Sequence, residues 1–140
     1  MTAKDRVGRL TLACTLILCM ASVASAQTTW YVDDDAVNDP GPGDVTVSDP
    51  NEDGSLTHPF DGIQEAIDMT VAGDEVVIAD GTYAGIGNRD LEFDAKAITV
   101  RSANGPSACI VDAGAYGRGF YFRHGETAAS VLQGITITNG

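Results

Sequence analysis

Short β-favouring runs separated by glycine-rich turns constrain the fold of this chain more than any other feature of its sequence. Beyond Gly73, such runs occur at 76–78, 91–93, 98–100, 109–111, 120–122, 131–132 and 135–137. Each run is too short for the strands of a wide β-sandwich. Two series of positions share the same spacing, from 77 to 99 to 121 and from 110 to 132. Interleaved series of this kind predict an all-β solenoid with several short strands in each turn.

The first turn of a solenoid needs a cap, because each turn buries its apolar face only against its neighbours. One amphipathic helix is predicted just before the first β run, at 62–72. Its apolar face repeats with helical period and consists of Ile63, Ala66, Ile67 and Thr70. Asp61 is the predicted N-cap with Gln64 as its partner, and Gly73 is the predicted end. We expect this helix to cover the open end of the core and its exposed strand edges.

The segment at 1–26 has the three parts of a secretory signal peptide. Lys4, Arg6 and Arg9 precede an apolar stretch at 10–21, and small residues lead up to Ala26. This apolar stretch is well short of the roughly 20 residues that a membrane-spanning helix needs. We therefore expect cleavage after Ala26, a secreted or extracytoplasmic protein, and no membrane association after cleavage.

The cysteines fit an exported chain without an internal disulfide. Cys14 and Cys19 would leave with the signal peptide, so that Cys109 remains alone. Cys109 lies in the apolar sequence ACIV at 108–111. It is predicted to be a buried small hydrophobic residue rather than a reactive thiol.

An acidic segment separates a predicted strand at 28–32 from the helix. Residues 33–54 are rich in Asp, Asn, Pro and Gly, which is typical of a loop. The whole chain carries 20 Asp and Glu against 8 Lys and Arg, a net charge of −12. Because nucleic acids are bound by basic surfaces, this balance argues against a nucleic-acid partner.

Three residues of the acidic segment have the spacing of metal ligands. Asp49, Asn51 and Asp53 match the oxygen ligands in the first half of a calcium loop. Phe60 occupies the position of the closing bidentate glutamate, so an EF-hand is excluded. A looser Ca²⁺ site at these three residues, together with the acidic triplet at 33–35, remains open beside the simpler interpretation of a solvated acidic turn.

A series of longer motifs runs from Tyr31 to Gly140. These are YV at 31–32, GS at 54–55, HPFDGIQEAI at 58–67, GDEVVIADGTY at 73–83, AITVRS at 97–102 and GITITNG at 134–140. The series resembles the opening of right-handed parallel β-helix proteins of the pectin-lyase-like family. The resemblance implies a secreted scaffold that has an N-terminal capping α-helix. It also implies that one flank of the scaffold faces long polysaccharides. It implies no particular activity, because the family includes lyases, hydrolases, epimerases, tailspikes and adhesins.

Four parts of the chain follow from these patterns. They are a signal peptide at 1–26, an N-terminal strand and acidic loop at 27–58, the capping helix at 59–73 and the initial β-helix turns at 74–140. The sequence stops directly after a β run, and members of the family usually have many more turns. We therefore expect the chain to be the N-terminal portion of a longer protein.

One basic and aromatic cluster is the candidate substrate-binding site. Arg118, Tyr121 and Arg123 lie in and around the run at 120–122, followed by His124. An arginine binds a carboxylate bidentately, as in an acidic sugar, and the resemblance implies that arginine serves as the base in lyases of this fold. The alternative interpretation is that these are turn residues flanking a strand.

No catalytic set is predicted in this chain. The segment at 89–94 alternates charged and apolar residues, which predicts Leu91 and Phe93 inward and its carboxylates on the surface. We expect a scaffold with a structural or polysaccharide-facing role. The alternatives are the N-terminal part of a polysaccharide lyase or glycoside hydrolase, and a calcium-stabilised surface module.

Overall fold

The computed structural model describes residues 26–140. All but the last residue of the predicted signal peptide, with Cys14 and Cys19, therefore lies outside the described residues. The described part is predominantly β and contains one helix, which is neither long nor apolar enough to cross a membrane. The elements are β1 Thr29–Val32, α1 Ile63–Met69, β2 Glu75–Ile78, β3 Gly81–Ala84, β4 Leu91–Glu92, β5 Thr99–Ser102, β6 Cys109–Asp112, β7 Phe120–Tyr121, β8 Val131–Gln133 and β9 Thr136–Thr138.

The strands form three parallel sheets. The strand orders are β1-β2-β5-β8, β3-β6-β9 and β4-β7, and all of these neighbours pair in parallel. From β2 onward, each sheet's next strand comes three strands later in the sequence. The chain therefore passes the three sheets in one cyclic order. Every β run predicted from the sequence overlaps a strand of the structure. The strand β3 was not among the predicted runs.

The predicted uniform spacing is wrong as a description of strand pairing. Val76 pairs with Val100, and Val100 pairs with Leu132, so the second interval along the chain is clearly longer than the first. Ile110 pairs with Thr136 rather than with Leu132. The connections between strands differ in length, so equal intervals along the sequence do not mark stacked positions.

Stacked apolar side chains form the core between the sheets. Along a strand, alternate residues face one side, and Val76 and Val100 lie at paired inward positions with no exposed surface. The other two sheets bury side chains equally well: Tyr83 in β3 and Leu91 in β4 have no exposed surface, and neither has Phe93, which follows β4. The predicted inward orientation of Leu91 and Phe93 is confirmed. Burial of each large apolar side chain contributes about 1.5–3 kcal/mol before entropy costs.

The predicted apolar face of the helix is confirmed, but its predicted ends are wrong. All four face residues are buried: Ile63, Ala66, Ile67 and Thr70. The N-cap is Gly62 rather than Asp61, and no side chain of the cap residue bonds the helix. Asn88, from the loop after β3, instead accepts a hydrogen bond from the Ile63 N–H at 2.8 Å. The helix ends at Met69, before the predicted stop at Gly73.

Gln64 has a different partner from the predicted one. Its side-chain amide accepts from the Glu92 N–H at 2.8 Å and donates to the Glu92 carbonyl at 3.1 Å. Lys96 donates to the carbonyls of Ile67 and Asp68, at the end of the helix. The helix packs against β1, β2 and β4, so it lies beside the first strands of two of the sheets.

The prediction for Cys109 is confirmed. Its side chain is fully buried and forms no disulfide. Burial raises the pKa of the thiol to about 11, which keeps the sulfur protonated and unreactive at neutral pH.

Candidate functional site

The outer face of the sheet of β4 and β7 carries the predicted basic and aromatic cluster. Leu91 pairs with Phe120 and Glu92 pairs with Tyr121 in this sheet. Because Leu91 and Phe120 pack into the core, Glu92 and Tyr121 lie next to each other on the opposite face. The strand pairing therefore brings a carboxylate from one segment beside an aromatic ring from another.

Both predicted arginines lie against the Tyr121 ring. The guanidinium carbon of Arg118 is 4.6 Å from the ring centroid, and that of Arg123 is 4.7 Å away. Each distance is within the range of a cation–π interaction, which contributes about 0.5–1 kcal/mol at an exposed site. The structure thus brings together all three residues that the sequence nominated.

The two guanidinium groups differ in their acidic partners. Arg123 donates to a Glu92 carboxylate oxygen at 2.6 Å. Arg118 is 3.9 Å from its nearest carboxylate, Asp90, and 62% of its side chain is exposed. Arg118 is therefore the guanidinium with more donors directed to solvent, where a ligand carboxylate would find them.

The backbone around Arg118 is held by a close approach between two segments. The Arg118 N–H donates to the Asp90 carboxylate at 3.0 Å, and the Asp90 N–H donates to the Arg118 carbonyl at 2.6 Å. A Cβ at position 117 would overlap the same carboxylate, so Gly117 allows the Asp90 side chain to lie in this position. The position of Arg118 over Tyr121 is therefore set by the fold rather than by the arginine side chain alone.

Two groups of side chains in the described part of the chain bring three possible metal-ligand atoms together. They are Glu92, Asp94 and His124 beside the arginine cluster, and Asp33, Asp34 and Asp35 after β1. Within each group the ligand atoms lie within 4.8 Å of one another. Sequence analysis missed the first group, because its members come from two segments that meet only through strand pairing.

The predicted calcium ligands form turns. Asp49 accepts from the Asn51 N–H at 2.9 Å, and its second oxygen lies 2.5 Å from the His58 ring nitrogen. Asp53 accepts from the Ser55 N–H at 2.9 Å. Hydrogen bonds from His58 and Asn51 hold the pKa of Asp49 below its usual value, and bonds from Ser55 lower the pKa of Asp53. The calcium site at Asp49, Asn51 and Asp53 stays a prediction.

Other acids of this segment, and Asp61 just before the helix, are buried in a way that the sequence does not indicate. Asp61 has 2% of its surface exposed, and one oxygen each of Asp39, Glu52 and Asp61 is buried without a hydrogen-bond partner. Burial raises the pKa of Asp34 to about 6 and, with repulsion from Glu65, that of Glu52 to about 7. Composition alone predicts a solvated loop, and nothing in the sequence separates these acids from the exposed ones.

Comparison with protein-family models, with curated proteins and with solved structures found no match. The function therefore has to be argued from the geometry of the described residues.

Proposed function

We propose that this chain forms the first turns of a right-handed parallel β-helix, which serves as an extracytoplasmic scaffold and contacts acidic polysaccharide through Arg118, Tyr121 and Arg123. The cyclic order in which the chain passes three parallel sheets supports the solenoid. The position of α1 beside β1, β2 and β4 supports its role as the cap. The motif resemblance supports the handedness and the secreted location.

The observation that carries the binding role is the placement of two guanidinium groups on one half-buried tyrosine ring. Because Tyr121 is flanked by guanidinium groups, the exposed recognition elements are hydrogen-bond donors rather than a bare aromatic face. A uronic acid carboxylate is complementary to such donors. The net charge of −12 opposes approach of a polyanion, but this opposition is limited to about 8 Å at physiological ionic strength.

Affinity electrophoresis of the full chain in gels containing polygalacturonate tests this proposal. We expect retardation by polygalacturonate and weaker retardation by its methyl ester, since esterification removes the carboxylate. Arg118→Gln should weaken binding by about tenfold, the effect of losing one charge-assisted hydrogen-bonded contact. Arg89→Gln is the matched control, because Arg89 also lies over a tyrosine, Tyr116 at 5.4 Å, but outside the cluster.

Equal migration with and without polymer would overturn the binding role, as would equal weakening by Arg89→Gln and Arg118→Gln. A lyase assay under the same conditions, with Ca²⁺ present and unsaturated product as the readout, separates the enzymatic alternative. Product formed by the chain itself would assign it a reaction and replace the scaffold proposal.

A second candidate role, a calcium-stabilised surface module, is favoured by the buried carboxylate oxygens without partners on Asp39, Glu52 and Asp61. Burying such oxygens costs free energy, and Ca²⁺ takes carboxylate oxygens as ligands. We expect millimolar Ca²⁺ to raise the melting temperature by mass action. Loss of this shift in Asp53→Asn would place the ion at the turn residues, and loss in Asp61→Asn would place it at the buried acids. An unchanged melting curve would discard the calcium role.

A further inference from the structure

We infer that Glu92, Asp94 and His124 form a binding site for a divalent transition-metal ion of the Zn²⁺ class. The His124 Nδ1 atom lies 2.8 Å from an Asp94 oxygen and 3.5 Å from a Glu92 oxygen. One ligand atom from each residue lies within 4.8 Å of the other two. Tetrahedral ligands about 2.0–2.2 Å from a common ion lie about 3.4 Å apart, so the Glu92 distance already fits and the Asp94 oxygen has to move away from Nδ1 by roughly half an ångström. This inference is independent of polysaccharide binding.

The strand and the turn that follows it set the direction of the two carboxylates. Phe93, between Glu92 and Asp94, is fully buried, so Glu92 at the end of β4 points to the outer face. Asp94 lies in the turn after β4 with a φ of 51° and a half-exposed side chain. The Phe93 ring also contacts Phe122 with centroids 4.9 Å apart, which places the segment that carries His124 beside the two acids.

Hydrogen bonds outside the three ligands hold their backbones in place. The Gln64 amide bonds both the N–H and the carbonyl of Glu92. The carboxylate of Glu126 accepts from the N–H groups of Ala95 and His124, at 3.2 and 2.9 Å. One side chain therefore ties together the two segments that supply ligands, which is the kind of support that orients metal ligands in proteins.

Arg123 occupies one side of Glu92 and leaves the other side for the ion. Its guanidinium lies 2.6 Å from Glu92 Oε1, while Oε2 is the oxygen that faces His124. The His124 and Asp94 side chains are 43% and 52% exposed, so an ion reaches them directly from solvent.

The donor set selects the class of metal. One imidazole nitrogen with two carboxylates suits Zn²⁺ and its neighbours, whereas Ca²⁺ prefers oxygen ligands alone. Binding requires an unprotonated Nδ1, so the neutral ring carries its proton on Nε2, and an imidazolium releases one proton to solvent. Three protein ligands leave a fourth tetrahedral position for water.

His58 provides a matched control within the same chain. The sequence contains two histidines, and each has an aspartate partner. His58 lies 2.5 Å from Asp49, but that pair belongs to no group of three converging ligands in the described residues. The His58 and Asp49 side chains are 32% and 6% exposed. If a histidine–aspartate pair by itself were enough to bind the metal, removal of either histidine would weaken binding.

Isothermal titration of the full chain with ZnCl₂ tests the inference. All variants carry Cys14→Ser and Cys19→Ser to remove zinc-binding thiols, and a purification tag without histidine. We expect one equivalent of Zn²⁺ to bind, and His124→Gln and Asp94→Asn each to weaken it by at least about tenfold. His58→Gln should leave the affinity within about twofold of the parent. Far-ultraviolet circular dichroism verifies that each variant is folded.

Three results would overturn the site: no zinc binding by the parent, equal losses in His58→Gln and His124→Gln, or displacement of zinc by an equal concentration of Ca²⁺. Histidine ring NMR signals supply a second readout, since only the His124 signals should shift when zinc is added.

Discussion

The acidic segment, taken here with its continuation to Asp61, and the sheets that follow it differ in how completely their buried polar groups are hydrogen-bonded. Next to the sheets, two buried polar side chains have partners: Asp74, just before β2, accepts three hydrogen bonds, and Asn88, in the loop after β3, both accepts and donates. Within 33–61, the buried Asp49 also has partners, but Asp39 and Asp61 each keep a buried oxygen without a partner. The paired groups beside the sheets therefore stabilise the fold through their hydrogen bonds, whereas the buried carboxylates at 33–61 make stability there depend on protonation.

The largest expected effect lies in the core of the sheets. Phe93→Ala should lower the free energy of unfolding by about 3–5 kcal/mol, because it opens a cavity under β4 and β7. Phe122→Ala is the matched control, since Phe122 contacts Phe93 but is 46% exposed. Urea denaturation measures both variants. Equal losses would show that the ring contact, rather than core burial, stabilises this sheet.

The next effect tests the satisfied polar groups. Asp74 accepts from the N–H groups of Thr28 and Val71 and from the Trp30 ring. Asp74→Ala leaves these donors unpaired and should cost about 2–3 kcal/mol in urea denaturation. Asp80→Ala is the control, because the exposed Asp80 accepts one bond, from Asn104. If Asp74→Ala lowers the free energy of unfolding by less than Asp80→Ala does, the paired groups beside the sheets do not stabilise the fold more than an exposed acid, and the distinction between the two regions fails.

The Asp74 hydrogen bonds also determine the direction of a pH effect. Burial raises the pKa of Asp74, but the three bonds outweigh it and leave the pKa below the ordinary 3.8. The stabilisation from Asp74 is therefore present above pH 4 and lost as the pH falls through the lowered pKa. An acid titration should show a smaller loss in Asp74→Asn than in the parent chain.

Local patterns predicted the elements of both regions, because a helix face or a β run is encoded by neighbouring residues. Ile63 and Ile67 were predicted to be buried from helical periodicity alone. The cap of that helix was not predictable, since Asn88 reaches Ile63 from a distant part of the sequence. The prediction of strand pairing from equal spacing was wrong for the same reason, because the length of each connection is set by tertiary packing rather than by a repeated sequence interval.

The candidate site also has one part that the local sequence predicts and another part that it does not. Arg118, Tyr121 and Arg123 were predicted because they form a basic and aromatic cluster in and around one short β run. The pairing of Glu92 with Tyr121 depends on the register of β4 and β7, so the convergence of carboxylates on His124 had no signal in the sequence.

The acidic segment is expected to make stability fall as the pH rises, which is opposite to the effect of Asp74 and smaller. Burial raises the pKa of Asp33 and of Asp34 from 3.8 to about 6, and that of Glu52 from 4.5 to about 7. Between pH 4 and 7 the folded chain therefore holds protons that the unfolded chain has released. Stability is highest near pH 4 on this account and falls as the pH rises to 7, by about 1–2 kcal/mol after solvent screening.

Thermal melts in chelator between pH 4 and 8 measure this slope. Asp34→Asn should flatten it by removing one of the raised groups. Asp44→Asn should not, because Asp44 is exposed and hydrogen bonds from Thr46 lower its pKa. A stability that rises with pH over this range would contradict the contrast between the two regions.

The smallest effect concerns an ion pair on the sheets, and salt should act on it and on the acidic segment in opposite directions. Arg101 donates to Glu75 at 2.6 Å across β2 and β5. A double-mutant cycle with Arg101→Gln and Glu75→Gln should give a coupling of about 0.5 kcal/mol, because both side chains are partly exposed. Added NaCl should reduce this coupling by screening opposite charges. The same salt should stabilise the parent chain, since a net charge of −12 creates self-repulsion that screening relieves. If salt instead destabilises the parent chain, ion pairs such as Arg101 and Glu75 contribute more to stability than the repulsion among the acids takes away. That result would contradict the view that the acids at 33–61 are the part of the molecule most sensitive to charge.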